Sequence, residues 1–281
     1  VKSARHIGSA VGALVLATVA LLWFVSLISA DGPALTTNPA LASIGPSGEH
    51  WLGTDHLGRD VAWRLVTASE AFVGPGTLAV GLALALGVSL GALAAWLDVP
   101  DRPVGRAFSA LVRFNFTVWA SLPRFVLVLV ACLATGSSVW LIAVVAGVAF
   151  SPVVGEAVHA RLETFRRAEF VLAAQAHGVG PGRVLLFHLL WVNCRRLVAR
   201  YAVQLFAAFL LLETTLSFLG ALDAGSGFGV QEPDPSWGNM LAFEWRRPDT
   251  NRWASWAPGL SVWAVIFGAA LLSDALAEAD A

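Results

Sequence analysis

Long apolar runs, nearly free of charge, alternate with short polar segments along the whole chain. The first run, 7–30, follows Lys2 and Arg5 and contains no charged residue. It exceeds the roughly 7–15-residue core of a secretory signal and ends without a clean A-x-A site, so it predicts a retained membrane helix. Further runs predict spans over 71–97, 107–135, 139–154, 197–222 and 257–273, since about 20 mostly apolar residues cross a bilayer. The third is interrupted by Arg113 and Arg124, and the fifth carries Glu213. The expectation is an all-α polytopic membrane protein of six transmembrane helices.

The segments between the runs have their own patterns. Leu57, Val61, Leu65 and Phe72 recur near helical spacing behind Thr54 or Asp55, either of which suits an N-cap. They predict a short amphipathic helix along the outer interface. The polar stretch 156–193 carries Arg161, Arg166, Arg167 and Arg183 and is broken near its middle by Gly178-Val179-Gly180-Pro181-Gly182. Glycine and proline disfavour a helix interior, so this stretch predicts helix, sharp turn, helix. Neither arm is apolar enough to span, which places the hairpin in water beside the membrane. The chain divides into a first region and helix over 1–30, an external segment over 31–70, and a five-helix core over 71–281. That core includes the hairpin at 156–193 and an external loop at 223–256.

Composition sharpens this picture. Hydrophobic residues make up 57% of the 281 residues and charged ones 13%, which excludes an ordinary soluble domain and gives no support to nucleic-acid binding. The net charge of −1 conceals segregation. With six spans the termini share a face, and that face holds Lys2, Arg5, Arg102, Arg106, Arg113, the hairpin arginines, Arg195, Arg196 and Arg200. The opposite loops hold Arg59, Arg64, Arg246, Arg247 and Arg252, together with Trp51, Trp63, Trp237, Trp245, Trp253 and Trp256. By the positive-inside rule the hairpin and both termini are cytoplasmic, and the loops at 31–70 and 223–256 are external.

Candidate chemistry is sparse. Lys2 is the only lysine, so a phosphate loop of the form GxxxxGK[ST] cannot be built, and any ATP-driven motor must be another polypeptide. Glycine-rich pieces at 178–182 and 225–229 lack dinucleotide-binding spacing. Cys132 and Cys194 fall toward opposite faces and are expected as unbridged thiols. Glu49, His50, Asp55 and His56 fit no recognised metal-ligand pattern, and no metal is assigned. Counted along continuous helices at about 1.5 Å per residue, Arg124 and Glu213 reach similar depth. Intramembrane charges usually face a partner or a watery cavity. The two are therefore expected either to pair or to reach separately to the outer interface. His177 and His188 lie in the hairpin, where solvation is the ordinary state of a histidine.

Several of these residues also carry a family pattern. Ala173-Ala174, Gly178 and His188-Leu189-Leu190 resemble the EAA loop of binding-protein-dependent ABC importer permeases. Residues 53–60, Gly-Thr-Asp-His-Leu-Gly-Arg-Asp, resemble the GTDxxGRD signature of the C-type transmembrane subunit in the dipeptide, oligopeptide and nickel family. Leu122-Pro123, the Glu-Thr-Thr-Leu-Ser-Phe-Leu-Gly run at 213–220, Pro235-Ser236-Trp237-Gly238, Pro258-Gly259-Leu260 and Asp274-Ala275-Leu276 follow in colinear order. Leu172 stands where that pattern usually has glutamate and Trp191 where it has proline.

The resemblance implies a permease fold of the type I ABC importer class in the inner membrane of a bacterium. It implies a second homologous permease subunit as heterodimer partner, two cytoplasmic ATPases that bind ATP and Mg, and an extracytoplasmic solute-binding protein. The cargo it implies is a peptide, with nickel or a metal chelate as the alternative. Ala173, Ala174, Gly178 and His188 would then couple to the ATPases. Asp55, Arg59, Asp60 and Trp237 would form an external gate or binding-protein contact, or else brace the interfacial segment. A secondary transporter or channel acting alone would need buried carboxylates near the midplane and internal repeats; only Glu213 is available, and it does not lie at the middle.

Overall fold

The computed structural model describes residues 2–29, 32–98, 103–135, 138–166, 168–223, 228–246 and 251–278. Among these, regular structure is helical apart from one antiparallel bridge between Thr54 and Asp60. Helix α1 (Lys2–Ile28) is the first apolar span, followed by the short turn α2 (Gly32–Leu35). Helix α3 (Val61–Thr67) leads through a tight 3-10 turn into α4 (Val73–Leu97), and the apolar stretch runs on from Val61 to Leu97. Among the described residues, five helical stretches are long and apolar enough to cross a membrane, and a bent pair counted as one span makes a sixth. Six spans therefore stand, although their ends and one interior differ from the expectation.

The third span is broken. Helices α5 (Pro103–Ser121) and α6 (Arg124–Thr135) meet at an angle of 81°. The cause is local: Pro123 lacks an N–H to donate and disfavours helical backbone at Leu122 before it. The fourth span is longer than the apolar run suggests, since α7 extends from Val139 to Arg166. Residues 156–166 are thus a continuation of that span rather than a separate hairpin arm, because a stretch rich in Glu, Ala, Leu and Arg offers nothing to stop a helix. Helix α12 (Arg252–Glu278) likewise starts before the apolar run and carries Pro258 within it.

Helices α4 and α7 form the central pair, with α10 (Arg195–Leu222) beside them and α12 packed between α10 and α1. The central crossing is made by small residues. A Cβ on Gly91 would lie 2.4 Å from the Gly155 carbonyl oxygen, and one on Gly87 2.6 Å from that of Ser151. In lipid the hydrophobic effect does not drive helices together, so close van der Waals approach of backbones carries the association. Where α1 crosses α12, a Cβ on Gly12 would stand 2.4 Å from the Gly268 carbonyl oxygen by the same logic. Cys132 and Cys194 are buried and form no disulfide.

Candidate functional site: a polar hairpin and a buried charge network

Between the fourth and fifth spans the chain forms α8 (Glu169–Ala176), a turn, and α9 (Pro181–Arg183). Gly178 sits at φ +79°, a conformation that L side chains adopt only with strain. The His177 and Val179 N–H groups donate to the Ala173 and Ala174 carbonyls, closing the C-terminus of α8. Pro181 then opens α9, where its missing N–H costs nothing. Ala173 and Gly178 are exposed, Ala174 is half-buried, and nothing lies within 4 Å of a Cβ built on Gly178. Val171, Val184 and Leu189 anchor the hairpin's underside in the core.

The descending arm does not end in a second turn. From Val184 to Cys194 it is π-helical and continues directly into α10. Trp191 lies within this segment and is exposed. A proline here would remove a backbone donor and break the run; tryptophan keeps the N–H, so the arm and the fifth span are one continuous rod. His188 lies on this segment, but its side chain and that of Leu172 fall outside the described residues, as does Arg167.

On the other side of the bundle, residues 53–60 fold into a compact turn. Gly53 and Gly58 both take positive φ, and a Cβ on Gly58 would stand 1.9 Å from the Asn38 carbonyl oxygen. Asp55 holds the turn by accepting from the Leu57 and Arg59 N–H groups, each at 2.9 Å. Its other oxygen accepts from Arg59 Nε at 2.7 Å. The N-cap of α3 is Asp60, which accepts from the Trp63 N–H at 2.9 Å; this corrects the expectation of Thr54 or Asp55. Those two are occupied elsewhere, Thr54 buried against the Leu41 carbonyl and the Ile44 N–H, and Asp55 with Arg59.

The turn is clasped to the distant loop 223–256. Arg59 donates to both Glu232 carboxylate oxygens, and Arg64 Nη2 donates to the same group at 3.0 Å. Arg64 Nε also lies 3.5 Å from Asp55. His56 Nδ1 meets Glu244 at 2.7 Å, and His50 Nδ1 meets Asp60 at 2.8 Å. Asn251 donates to the Leu52 carbonyl at 2.7 Å, and Trp237 Nε1 to the Leu65 carbonyl at 3.1 Å, with its ring tilted on Phe72. Burial by itself would lower the pKa of Arg59, but the hydrogen bonds and charges of Glu232 and Asp55 outweigh it and hold the guanidinium above its ordinary value.

Asp55, Arg59, Asp60 and Trp237 are all buried, so each is engaged within this clasp rather than presented at the surface. Asp55, His56 and Glu244 bring three possible ligand atoms within 4.8 Å of one another. However, both Asp55 oxygens already accept hydrogen bonds, His56 Nδ1 is held by Glu244, and two guanidiniums line the same small cavity. Cationic walls oppose a bound cation, and the arrangement acts as an ion-pair network. Glu232, Arg64 and Asn251 were invisible as partners because no local spacing links residues about 170 to 200 positions apart.

Arg124 and Glu213 do not form the ion pair that equal depth suggested; none joins them among the described residues. The depth count assumed one continuous third helix, and the 81° bend invalidates it. Arg124 stands at the start of α6 with its guanidinium 5.9 Å from the centre of the Phe150 ring on α7. Glu213 is buried in α10 and accepts from Ser217 Oγ at 2.7 Å, while Ser217 Oγ accepts from the Val230 N–H at 2.8 Å. Helix α11 (Trp237–Trp245) covers this region, with Gly238 so close to the Thr214 carbonyl that a Cβ would lie 2.1 Å away. Glu213 is enclosed within the protein, whereas Arg124 is half-buried at the contact of α6 with α7.

The chain is a bundle of membrane helices whose fourth and fifth spans are joined by a polar helical hairpin. The chain belongs to the family described as binding-protein-dependent transport system inner membrane component, which matches residues 57–279. It is 30% identical over 272 residues to the dipeptide transport system permease protein DppC of Alkalihalophilus pseudofirmus, covering 94% of this chain and 84% of that one. It is 30% identical over 276 residues to the nickel transport system permease protein NikC of Escherichia coli K12, covering 94% and 91%. The glutathione transport system permease protein GsiD of Pectobacterium atrosepticum is 24% identical over 277 residues, covering 98% and 86%. The chain is therefore a multi-pass inner-membrane protein and the transmembrane permease subunit of an ATP-driven ABC importer.

Proposed function

We propose that this subunit forms half of a peptide-conducting pathway and is driven through the polar hairpin at 168–193. The carrying observation is mechanical: exposed Ala173 and Gly178 cap a hairpin whose descending arm is continuous with α10. A force applied at the hairpin's turn is thereby transmitted along the descending arm to the fifth span. Small side chains at Ala173, Ala174 and Gly178 suit close approach by an ATPase groove, with His188 on the following arm. ATP binding and closure of two cytoplasmic ATPases would rock this rod together with a second permease subunit between inward-open and outward-open states. The chain itself binds no ATP, since the sequence has no lysine for a phosphate loop; ATP and Mg belong to the ATPases.

In this reading both termini and the hairpin are cytoplasmic, following the distribution of arginines. The clasp between 31–70 and 223–256 then forms a rigid external cap on which a solute-binding protein docks. Asp55, Arg59, Asp60 and Trp237 hold that cap's shape. Peptide cargo is supported by the likeness to a dipeptide permease over nearly the full length. Nickel or a metal chelate is the second reading, supported by the equal likeness to a nickel permease. Affinity purification from mild detergent tests the assembly: two ATPases and a second permease are expected to co-purify, and a bulky Ala174→Trp substitution to abolish cargo-stimulated ATP hydrolysis. Purification of the chain alone, stable and without an ATPase, would overturn it. Uptake of labelled dipeptide against labelled nickel in cells carrying the full system separates the two cargoes.

A further inference from the structure

We propose that Phe170 relays ATPase motion to the fourth span, so that the hairpin drives α7 as well as α10. Helix α7 ends at Arg166 and α8 begins at Glu169, and several contacts tie the two together. The Ala168 N–H donates to the Phe165 carbonyl and the Val171 N–H to the Ala168 carbonyl, each at 3.0 Å. The Phe165 and Phe170 rings lie 6.1 Å apart and are tilted by 57°, within the range that aromatic pairs favour. One turn back along α7, the Arg161 guanidinium lies 4.9 Å from the centre of the Phe165 ring. Leu162 of α7, Val171 of α8, and Val184 and Leu189 of the descending arm belong to the same buried apolar core, against which Phe165 packs. Helices α7 and α8 also both pack on the descending arm, so turning α8 on its junction would pull these contacts apart.

Between Phe165 and Gly155, α7 contains neither glycine nor proline, which gives about 15 Å of uninterrupted helix. Gly155 is where α7 crosses α4 at close range. A displacement that reaches Phe165 therefore arrives at the central helix pair. At the other end of the relay, Phe170 is 40% exposed and stands three residues before Ala173 on the exposed face of α8, which leads to Gly178. That face continues the surface proposed above for the ATPase. An apolar ring beside small side chains suits the core of such an interface, where aromatic residues are enriched. Phe170 touches no reacting group and acts as a positioning residue. The inference rests on ATPase docking at this hairpin.

The test uses the full importer, reconstituted with its ATPases and binding protein and spin-labelled through Thr164→Cys on α7 and Ala176→Cys on α8, both exposed positions. The native Cys132 and Cys194 are buried. The distance between the labels is expected to be the same in the nucleotide-free and ATP-trapped states, and to shift or broaden once Phe170→Ala is added. Cargo taken up per ATP hydrolysed should fall about fivefold in Phe170→Ala and in Phe165→Ala, the scale of one aromatic pair. The double variant should lose no more than either single one, and Phe170→Tyr should behave as the wild type. Co-purification of the ATPases should be unchanged in all four, which separates a relay from a merely structural role. Label distances that differ between the two states by a helical turn, about 5 Å, without Phe170→Ala would overturn the relay. So would normal cargo per ATP in Phe170→Ala, or additive losses in the double variant. Loss of the ATPases from Phe170→Ala alone would make the residue a docking contact and likewise overturn it. Absence of the ATPases from the wild-type preparation would instead overturn the docking reading on which the relay rests.

Discussion

Glu232 is the residue on which the clasp between residues 53–64 and the 223–256 loop depends most directly. It accepts from Arg59 through both oxygens and from Arg64 through one, and these guanidiniums are 3% and 1% exposed. In Glu232→Gln the side-chain volume is kept and the charge removed, leaving Asp55 to balance two buried cations. Breaking a buried ion pair by deleting one partner costs about 3–5 kcal/mol. Glu232 is itself 27% exposed, so water compensates part of the loss and the lower end, about 3 kcal/mol, is the expected value. That cost falls on the contact between residues 53–64 and loop 223–256, not on the membrane helices. The readout is hydrogen exchange in the purified importer. Amides closed by the turn, such as Asp55 to the Arg59 carbonyl at 2.9 Å and Gly58 to the Asp55 carbonyl at 3.0 Å, report its opening. Converted at RT, about 3 kcal/mol predicts exchange roughly 150-fold faster at these amides, with α4 and α7 unchanged. A double-mutant cycle of Glu232→Gln with Arg64→Gln should show coupling above about 1 kcal/mol. Exchange within twofold of the wild type would refute the reasoning, because the clasp would then be held by the contacts of His56, Trp237 and Asn251.

Three further outcomes follow from the same geometry. Gly178→Ala meets open space but a φ of +79°, so it should strain the turn by about 1–2 kcal/mol and lower cargo-stimulated ATP hydrolysis while leaving assembly intact. Trp191→Pro should break the π-helical arm at a cost of about 3 kcal/mol or more, abolishing transport while the ATPases still co-purify; a variant with normal uptake would show that the arm is not the lever. Arg124→Gln and Glu213→Gln should be additive within about 0.5 kcal/mol in thermal denaturation, as expected of groups that share no contact.

The sequence by itself determined what depends on neighbours along the chain. Apolar runs of about 20 residues dictated six spans because backbone polar groups in lipid must be satisfied within a helix. Gly178 and Pro181 dictated the hairpin's turn, because each acts on its own backbone. Local chemistry was less decisive about ends and breaks: the polar face of 156–166 hid a helix that simply continues, and the single span expected over 107–135 is broken at Pro123 by 81°. What only the tertiary structure decided were the partners. Glu232 meets Arg59 and Arg64, and Glu244 meets His56, across more than 160 residues, because the segment carrying Glu232 and Glu244 folds back over the turn. Equal depth along two helices placed Arg124 and Glu213 together on paper, yet depth fixes one coordinate out of three. The bend and the cover of α11 set the other two, giving each residue its own neighbours in the folded bundle.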